Sequence, residues 1–281
     1  ETVANSEDEA VEAIPDDIRS LVALLRKGTK QQKGSAALAL ANLAALNDAN
    51  RAAIAAAGGI PPLVALVRDG STEVQKENAA GALANLAALN DANRAAIALA
   101  KGIPPLVALL RNGATEEQKS KAARALWFLS RNYSDSAAIV SAGGIPPLVA
   151  LVRDGGTEEQ KEYAAAALWN LANRNDANRA AIVAAKGIPP LVALVRNGAT
   201  EEQKSNAAGA LSTLALNDAN KVAIAAAGGI LPFVVLVRDG TEKQKERAAL
   251  VLGNLAIDNA ANKAAIAAAG GIPPLVALVR D

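Results

Sequence analysis

The chain has 281 residues, of which 51% are hydrophobic and 2% aromatic, and its formal net charge is +1. It contains neither Cys nor His, which excludes disulfides, thiolate nucleophiles, Ser–His and Cys–His pairs and Cys-containing zinc sites, and removes the commonest metal ligand. We therefore expect a protein that is not an enzyme and that carries no metal or other cofactor.

The first predicted element is an acidic N-terminal segment, residues 1–17, which holds seven acidic residues and no basic one. It lacks the basic start and apolar core of a signal peptide. Two interpretations stay open, a solvated tail or a segment with an inhibitory or partner-binding role. Because the chain has 29 basic and 28 acidic residues in all, residues 18–281 carry an excess of eight positive charges.

The longest apolar stretch, residues 52–67, is interrupted by Gly58-Gly59 and Pro61-Pro62. It is shorter than the ~18 residues typical of a membrane-spanning helix, and similar stretches recur along the chain. We expect no membrane partner.

Residues 18–281 are built from a repeated unit. Aligning the chain on itself superimposes isoleucines spaced by 42 or 43 residues, and a fixed period of this length indicates stacked supersecondary units. The aligned residues are Ile18, Ile60, Ile103, Ile145, Ile188, Ile230 and Ile272.

One unit contains three predicted helices. Residues 93–100 form a short first helix that Gly102 ends, since glycine tolerates a left-handed C-cap. Residues 104–111 begin with two prolines, which suit a first helical turn, and Gly113 closes this second helix. Thr115 begins the third helix.

The start of the third helix carries the pattern Thr-x-x-Gln in six units. This pattern predicts a capping box, in which the Thr and Gln side chains each bond a free backbone amide. The pairs are Thr29/Gln32, Thr72/Gln75, Thr115/Gln118, Thr157/Gln160, Thr200/Gln203 and Thr241/Gln244.

With its motifs GGIPPLVALVRDG and QKENAAGALANLA, the unit resembles the armadillo repeat of importin-α and β-catenin. The resemblance covers residues 18–281 and implies an all-α, right-handed α-solenoid of about six three-helix repeats plus a partial seventh. The Gly-Gly break between two short helices disfavours the two-helix HEAT repeat. The last unit stops at Asp281 without its third helix, so we expect either a fragment or an end that associates with a partner.

In armadillo families the third helices line a concave groove, where a late Asn grips the backbone of an extended peptide. A carboxamide suits this role because it offers a donor and an acceptor. The alternative is that Asn caps a turn or faces water. The matching positions are Asn42, Asn85, Phe128, Asn170, Thr213 and Asn254.

Residues four and seven before this position, and three after it, share its helical face. Four before it, importin-α-like proteins place Trp; here that position holds no Trp in any unit, so the importin-type grip on basic peptides is absent. The same face carries Lys121, Arg124, Arg131, Tyr163 and Arg247.

The third and fourth units hold five of the six aromatic residues, and these units also carry the basic residues of one groove helix. Aromatic residues and arginines are enriched in binding hot spots. We therefore expect the main site here, for an extended segment with acidic or phosphorylated residues next to an apolar anchor. The alternative for Trp127 and Trp169 is that they fill packing gaps. The basic residues lack the long runs that track a phosphate backbone, so we expect no nucleic-acid partner.

Three functions stay open: a peptide- or protein-binding scaffold, a structural element that associates end to end, and an engineered, consensus-like scaffold without a natural ligand. The last is motivated by the absence of Cys, Met and His and by the identity of residues 40–55 and 83–98, which a recent duplication explains equally well. The family resemblance implies a cytoplasmic or nuclear location.

Overall fold

A computed structural model describes residues 16–173 and 175–280, with Arg280 described by its backbone alone. This part of the chain forms 19 α-helices and no strand, which confirms the all-α solenoid. Residues 1–15 of the acidic segment lie outside the described residues, whereas Asp16 and Asp17 form the first turn of α1. In chain order the helices are α1 (Asp16–Lys27), α2 (Lys30–Leu46), α3 (Asp48–Ala56), α4 (Ile60–Asp69), α5 (Glu73–Ala87), α6 (Asp91–Leu99), α7 (Ile103–Asn112), α8 (Glu116–Leu129), α9 (Tyr133–Ser141), α10 (Ile145–Asp154), α11 (Glu158–Ala172), α12 (Asp176–Ala184), α13 (Ile188–Asn197), α14 (Glu201–Leu214), α15 (Asp218–Ala226), α16 (Ile230–Asp239), α17 (Glu242–Ala256), α18 (Ala260–Ala268) and α19 (Ile272–Arg280).

The first and second helices of each unit meet at 80° to 90°. The bend between α3 and α4 occurs at Gly58, whose φ of +70° is a left-handed conformation that favours glycine. In the same loop the Gly59 N–H donates to the carbonyl of Ile54 at 2.9 Å. Within the described residues no single helix is long and apolar enough to cross a membrane, although six bent helix pairs reach that length and composition when taken together.

Each third helix packs against the third helix of the next unit. The third helices are α2, α5, α8, α11, α14 and α17. Their faces toward the core are rich in alanine; Ala79 and Ala80 are fully buried together with Leu83 and Leu86, as predicted. Small side chains allow neighbouring helices to approach closely. Most of the packing between successive units is therefore made by their third helices.

The prediction of six reciprocal capping boxes was wrong for four of them. The Thr side chain accepts a bond from the Gln backbone N–H in all six, but only at Thr29 and Thr241 does the Gln side chain also bond the Thr backbone. In those two units Gly28 and Gly240 directly precede the Thr.

In the other four units one extra residue separates the glycine from the Thr, and the Gln Oε1 accepts the N–H of that residue at 2.8 to 2.9 Å. The Gln Nε2 then donates to the first carbonyl of the preceding third helix at 2.6 to 3.0 Å. Loop length therefore decides whether the glutamine caps its own helix or joins two units. The joining residues are Gln75, Gln118, Gln160 and Gln203.

Candidate functional site

The groove asparagines join neighbouring third helices. The Nδ2 atom of Asn85 donates to the carbonyl of Ala41 at 2.8 Å, and that of Asn170 donates to Ser130 Oγ at 3.1 Å. Asn254 bonds Ser212 of the preceding third helix in the same way. Asn85 uses one amide hydrogen in this way, whereas the Nδ2 atoms of Asn170 and Asn254 each contact two acceptors. The carboxamide oxygens of all three can still accept a hydrogen bond from a ligand. Asn42, in the first third helix, is exposed.

Two predicted groove positions are largely covered. Thr213 is 9% exposed, and its hydroxyl donates to the carbonyl of Gly209 within its own helix at 3.0 Å. Phe128 is 8% exposed, which leaves little of its ring for direct contact. Both residues support the groove floor.

Three aromatic rings from α8 and α11 form what we call the aromatic cluster: Trp127, Phe128 and Tyr163. The Trp127 ring stacks on Phe128 with centroids 4.5 Å apart and on Tyr163 at 5.7 Å. The guanidinium carbon of Arg124 lies 5.6 Å from the centroid of Phe128, a cation–π contact. Burial raises the pKa of the Tyr163 hydroxyl. The cluster thus joins side chains of two units into one surface.

The positive charges of this surface differ in their partners. Lys121 is paired within its own helix, because its Nζ lies 2.5 Å from Glu117 Oε1, four residues earlier. Among the described residues neither Arg124 nor Arg131 has a carboxylate partner. Two of the three expected cations therefore remain free to pair with a ligand anion.

A second contact between a cation and an aromatic ring spans three units. The guanidinium carbon of Arg247, in α17, lies 4.4 Å from the ring centroid of Trp169, in α11. The intervening helix α14 presents Gly209, where an added Cβ would lie 2.6 Å from the Trp169 ring. Arg247 and Trp169 thus meet across α14, and only glycine leaves room for the indole.

Sequence reasoning left Trp127 and Trp169 out of the predicted site, because a packing role explained them equally well. The structure places both beside predicted groove residues, Trp127 next to Tyr163 and Trp169 next to Arg247. The alignment of the units could have singled out the two tryptophans, because the other units hold only small residues at this position. These residues are Ala41, Ala84, Ser212 and Gly253.

In the described part of the chain, no group of three or more acidic residues is arranged to hold a metal ion. The surface offers carboxamides, guanidinium groups and stacked rings. These groups can bind an extended chain through its backbone and side chains.

The family model described as Armadillo/beta-catenin-like repeat matches residues 47–88, 135–173 and 175–216. No curated protein sequence matches the chain. Among solved structures, the crystal structure of one engineered protein is 33% identical, with a TM-score of 0.78, and the match covers 86% of this chain and 97% of that one. A second engineered protein is 34% identical, with a TM-score of 0.86 and coverage of 94% and 64%. A designed armadillo repeat protein in complex with the peptide (KR)4 is 28% identical, with a TM-score of 0.74 and coverage of 85% and 99%.

Proposed function

Because the chain belongs to the armadillo repeat family, we propose that it is a non-enzymatic scaffold that binds an extended peptide or protein segment in the groove of its third helices. The similar designed protein that was solved with the peptide (KR)4 supports a peptide as the ligand. The carboxamide oxygens of Asn85, Asn170 and Asn254 can accept a backbone N–H of such a segment, and Asn85 also has a second N–H to donate. The absence of Cys and His supports a binding role over a catalytic one.

The main binding site in this proposal is the groove surface of α8 and α11. The observation that carries it is the pair Arg124 and Arg131, which have no carboxylate partner among the described residues. Arg124 lies in the same helix as Trp127 and Phe128 of the aromatic cluster. Arg131 was expected in that helix too, but it follows the helix end at Leu129 by two residues. A guanidinium group binds carboxylate and phosphate oxygens in a bidentate manner. A segment with an acidic or phosphorylated residue next to an apolar one fits these groups.

This preference is opposite in charge to the (KR)4 peptide bound by the similar designed protein. Fluorescence anisotropy with labelled peptides tests the difference directly. A short peptide that contains Glu or phosphoserine beside Leu should bind, and (KR)4 should bind more weakly. Affinity for the acidic peptide should fall as salt increases, because exposed charge pairs are screened.

Variants locate the site on the molecule. Arg124→Ala combined with Phe128→Ala should abolish binding, since each hot-spot residue contributes ~2 kcal/mol or more. Because Phe128 is largely buried, Arg124→Glu serves as a second variant that keeps the ring. Asn42→Ala should only weaken binding. Arg153→Ala, which removes an exposed arginine of a second helix that pairs with Asp154, is the matched control. A ligand that keeps its affinity in both Arg124 variants, or at high salt, contradicts the proposal.

End-to-end self-association is a second candidate function, and α19 favours it. This helix exposes Ile272, Val276 and Val279 at 51%, 43% and 87% of their surfaces. A second copy of the chain could cover these side chains. Light scattering over a range of concentrations tests the idea, and a mass that stays monomeric at high concentration rejects it.

A further inference from the structure

In three units an arginine of the first helix fills the space beside the C-terminal end of the preceding third helix. Arg51, Arg94 and Arg179 each donate from Nη1 to a carbonyl in that last turn, at 2.7, 2.8 and 2.9 Å. Their side chains are only 7% to 12% exposed, and each pairs with an aspartate three residues earlier. The carbonyl end of a helix carries partial negative charge, so a guanidinium group is favoured there.

The unit that begins with α9 lacks both members of this pair. Ser136 stands at the arginine position and Tyr133 at the aspartate position. The Ser136 hydroxyl donates to the carbonyl of Ser130 at 2.8 Å, which is the carbonyl that an arginine would have bonded. The shorter side chain leaves space beside it. A cavity of about 260 Å³ lies there, bordered by the last turns of α8 and α11 and the first turns of α9 and α12.

The cavity wall is rich in hydrogen-bond acceptors. The amide nitrogens of Asn132, Asn170 and Asn178 are held by Asp135 Oδ2, Ser130 Oγ and the Leu171 carbonyl. The carboxamide oxygens of these asparagines accept no hydrogen bond from any described residue. These oxygens can accept hydrogen bonds from a ligand donor. Arg179 already occupies the C-terminal end of α11, so the end of α8 is the one that favours an added positive charge.

We propose that this cavity binds a guanidinium group, namely the arginine side chain of a ligand, in the place that Arg51, Arg94 and Arg179 fill in their own units. The inference does not depend on the acidic segment proposed for the groove. The two sites respond in opposite ways to Arg131, which lines the cavity and is exposed. A negative residue at position 131 should strengthen binding of a cation in the cavity and weaken binding of an anion in the groove.

The test uses the full chain labelled with ¹⁵N and follows the side-chain amide signals of Asn170, Asn175 and Asn178 by NMR. N-acetyl-arginine amide should shift these signals in a saturable manner, and methylguanidinium should shift the same signals if the group alone is recognised. N-acetyl-citrulline amide, which has a similar shape but no charge, should bind about tenfold more weakly because charge-assisted hydrogen bonds are the stronger ones. Equal binding of the citrulline and arginine compounds, or shifts that do not saturate, would overturn the proposal.

Variants separate the cavity from nonspecific binding. Tyr133→Asp combined with Ser136→Arg restores the pair of the other units, so it should fill the cavity and reduce the affinity for the arginine probe at least about tenfold. Arg179→Ser should open a matching cavity beside α12 and add a second binding event in calorimetry. Arg131→Glu should increase the affinity for the arginine probe. If the filled variant binds the probe as well as the wild type does, or if Arg131→Glu has no effect, the site is not this cavity.

Discussion

Two junctions between third helices carry the same Thr-x-x-Gln pattern, but the glutamine makes different hydrogen bonds in each. Between α8 and α11, Gln160 is fully buried, and its Nε2 donates to the Glu116 carbonyl at 2.6 Å and to Glu116 Oε2 at 2.8 Å. Between α14 and α17, Gln244 caps its own helix by accepting the Thr241 N–H at 3.1 Å. A single loop residue, Gly156, is present before the first helix and has no counterpart before the second.

The junction between α14 and α17 is held by other contacts. The Thr241 hydroxyl donates to Glu201 Oε1 at 2.9 Å, and Lys243 lies 3.8 Å from Glu202. Exposed pairs of this kind contribute little. Asn254 of α17 also bonds Ser212 of α14, and Arg247 reaches past α14 to the Trp169 ring. The capping motif becomes a bond between units only where the loop supplies an extra backbone N–H for the Gln oxygen.

The largest expected effect is that of removing the buried glutamine. Gln160→Ala leaves the Gly156 N–H and the Glu116 carbonyl without their partner, so it should lower the free energy of unfolding by about 2–3 kcal/mol. Gln244→Ala removes only one of the two hydrogen bonds of a capping box. It should lower the free energy of unfolding by less than about 1 kcal/mol. Urea unfolding followed by circular dichroism measures both. Equal losses would show that loop length does not control the function of the glutamine.

Replacing each of two glycines at the same position of the unit by alanine should change the stability of the protein in opposite directions. Gly209→Ala places a Cβ 2.6 Å from the Trp169 ring and should destabilise the protein by about 1–2 kcal/mol, because the indole must move. Gly81→Ala places its Cβ at an ordinary 3.6 Å from the Lys121 side chain and should stabilise by about 0.5–1 kcal/mol. Denaturation midpoints together with tryptophan fluorescence check the pair. An unchanged fluorescence spectrum in Gly209→Ala would show that the indole does not depend on this glycine.

An insertion tests the loop directly. Placing one Ala between Gly240 and Thr241 gives the α16–α17 loop the length of the α10–α11 loop, so Gln244 should turn toward α14 and stabilise the protein by about 1 kcal/mol. In this background Gln244→Ala should become more costly than it is in the parent chain. The same insertion between Gly28 and Thr29 is the control, since the described chain has no third helix before α2. A gain of equal size there would contradict the explanation.

The smallest expected effect concerns Glu162 of α11. Burial raises the pKa of its carboxyl group, and the nearby Glu202 and Glu159 raise it further. A carboxyl group with a raised pKa in the folded state destabilises the fold above that pKa and has no effect below the unfolded value of about 4.3. Glu162→Gln should therefore stabilise the protein at neutral pH and leave it unchanged in mild acid. A stability difference that does not vary with pH would contradict this assignment.

The sequence was sufficient for the helices and their order, because proline, glycine and the isoleucine period act within one unit. The hydrogen bond of Gln160 between units was not predicted, because its acceptor is a carbonyl of the preceding unit. The contact of Trp169 with Arg247 requires a glycine in the unit between them. The pair Glu117–Lys121 could have been predicted, because its spacing of four residues is the usual one for an ion pair on a helix.

The difference in loop length also has a mechanical meaning. A solenoid in which each unit touches only its neighbours bends like springs joined in series, so its total compliance is dominated by its softest joint. The α14–α17 joint lacks the glutamine bond that is present in the other four joints between described third helices. Under load the curvature should change there first. A ligand that contacts both α11 and α17 would make that joint stiffer. Bending the solenoid there would then also cost part of the ligand's binding free energy.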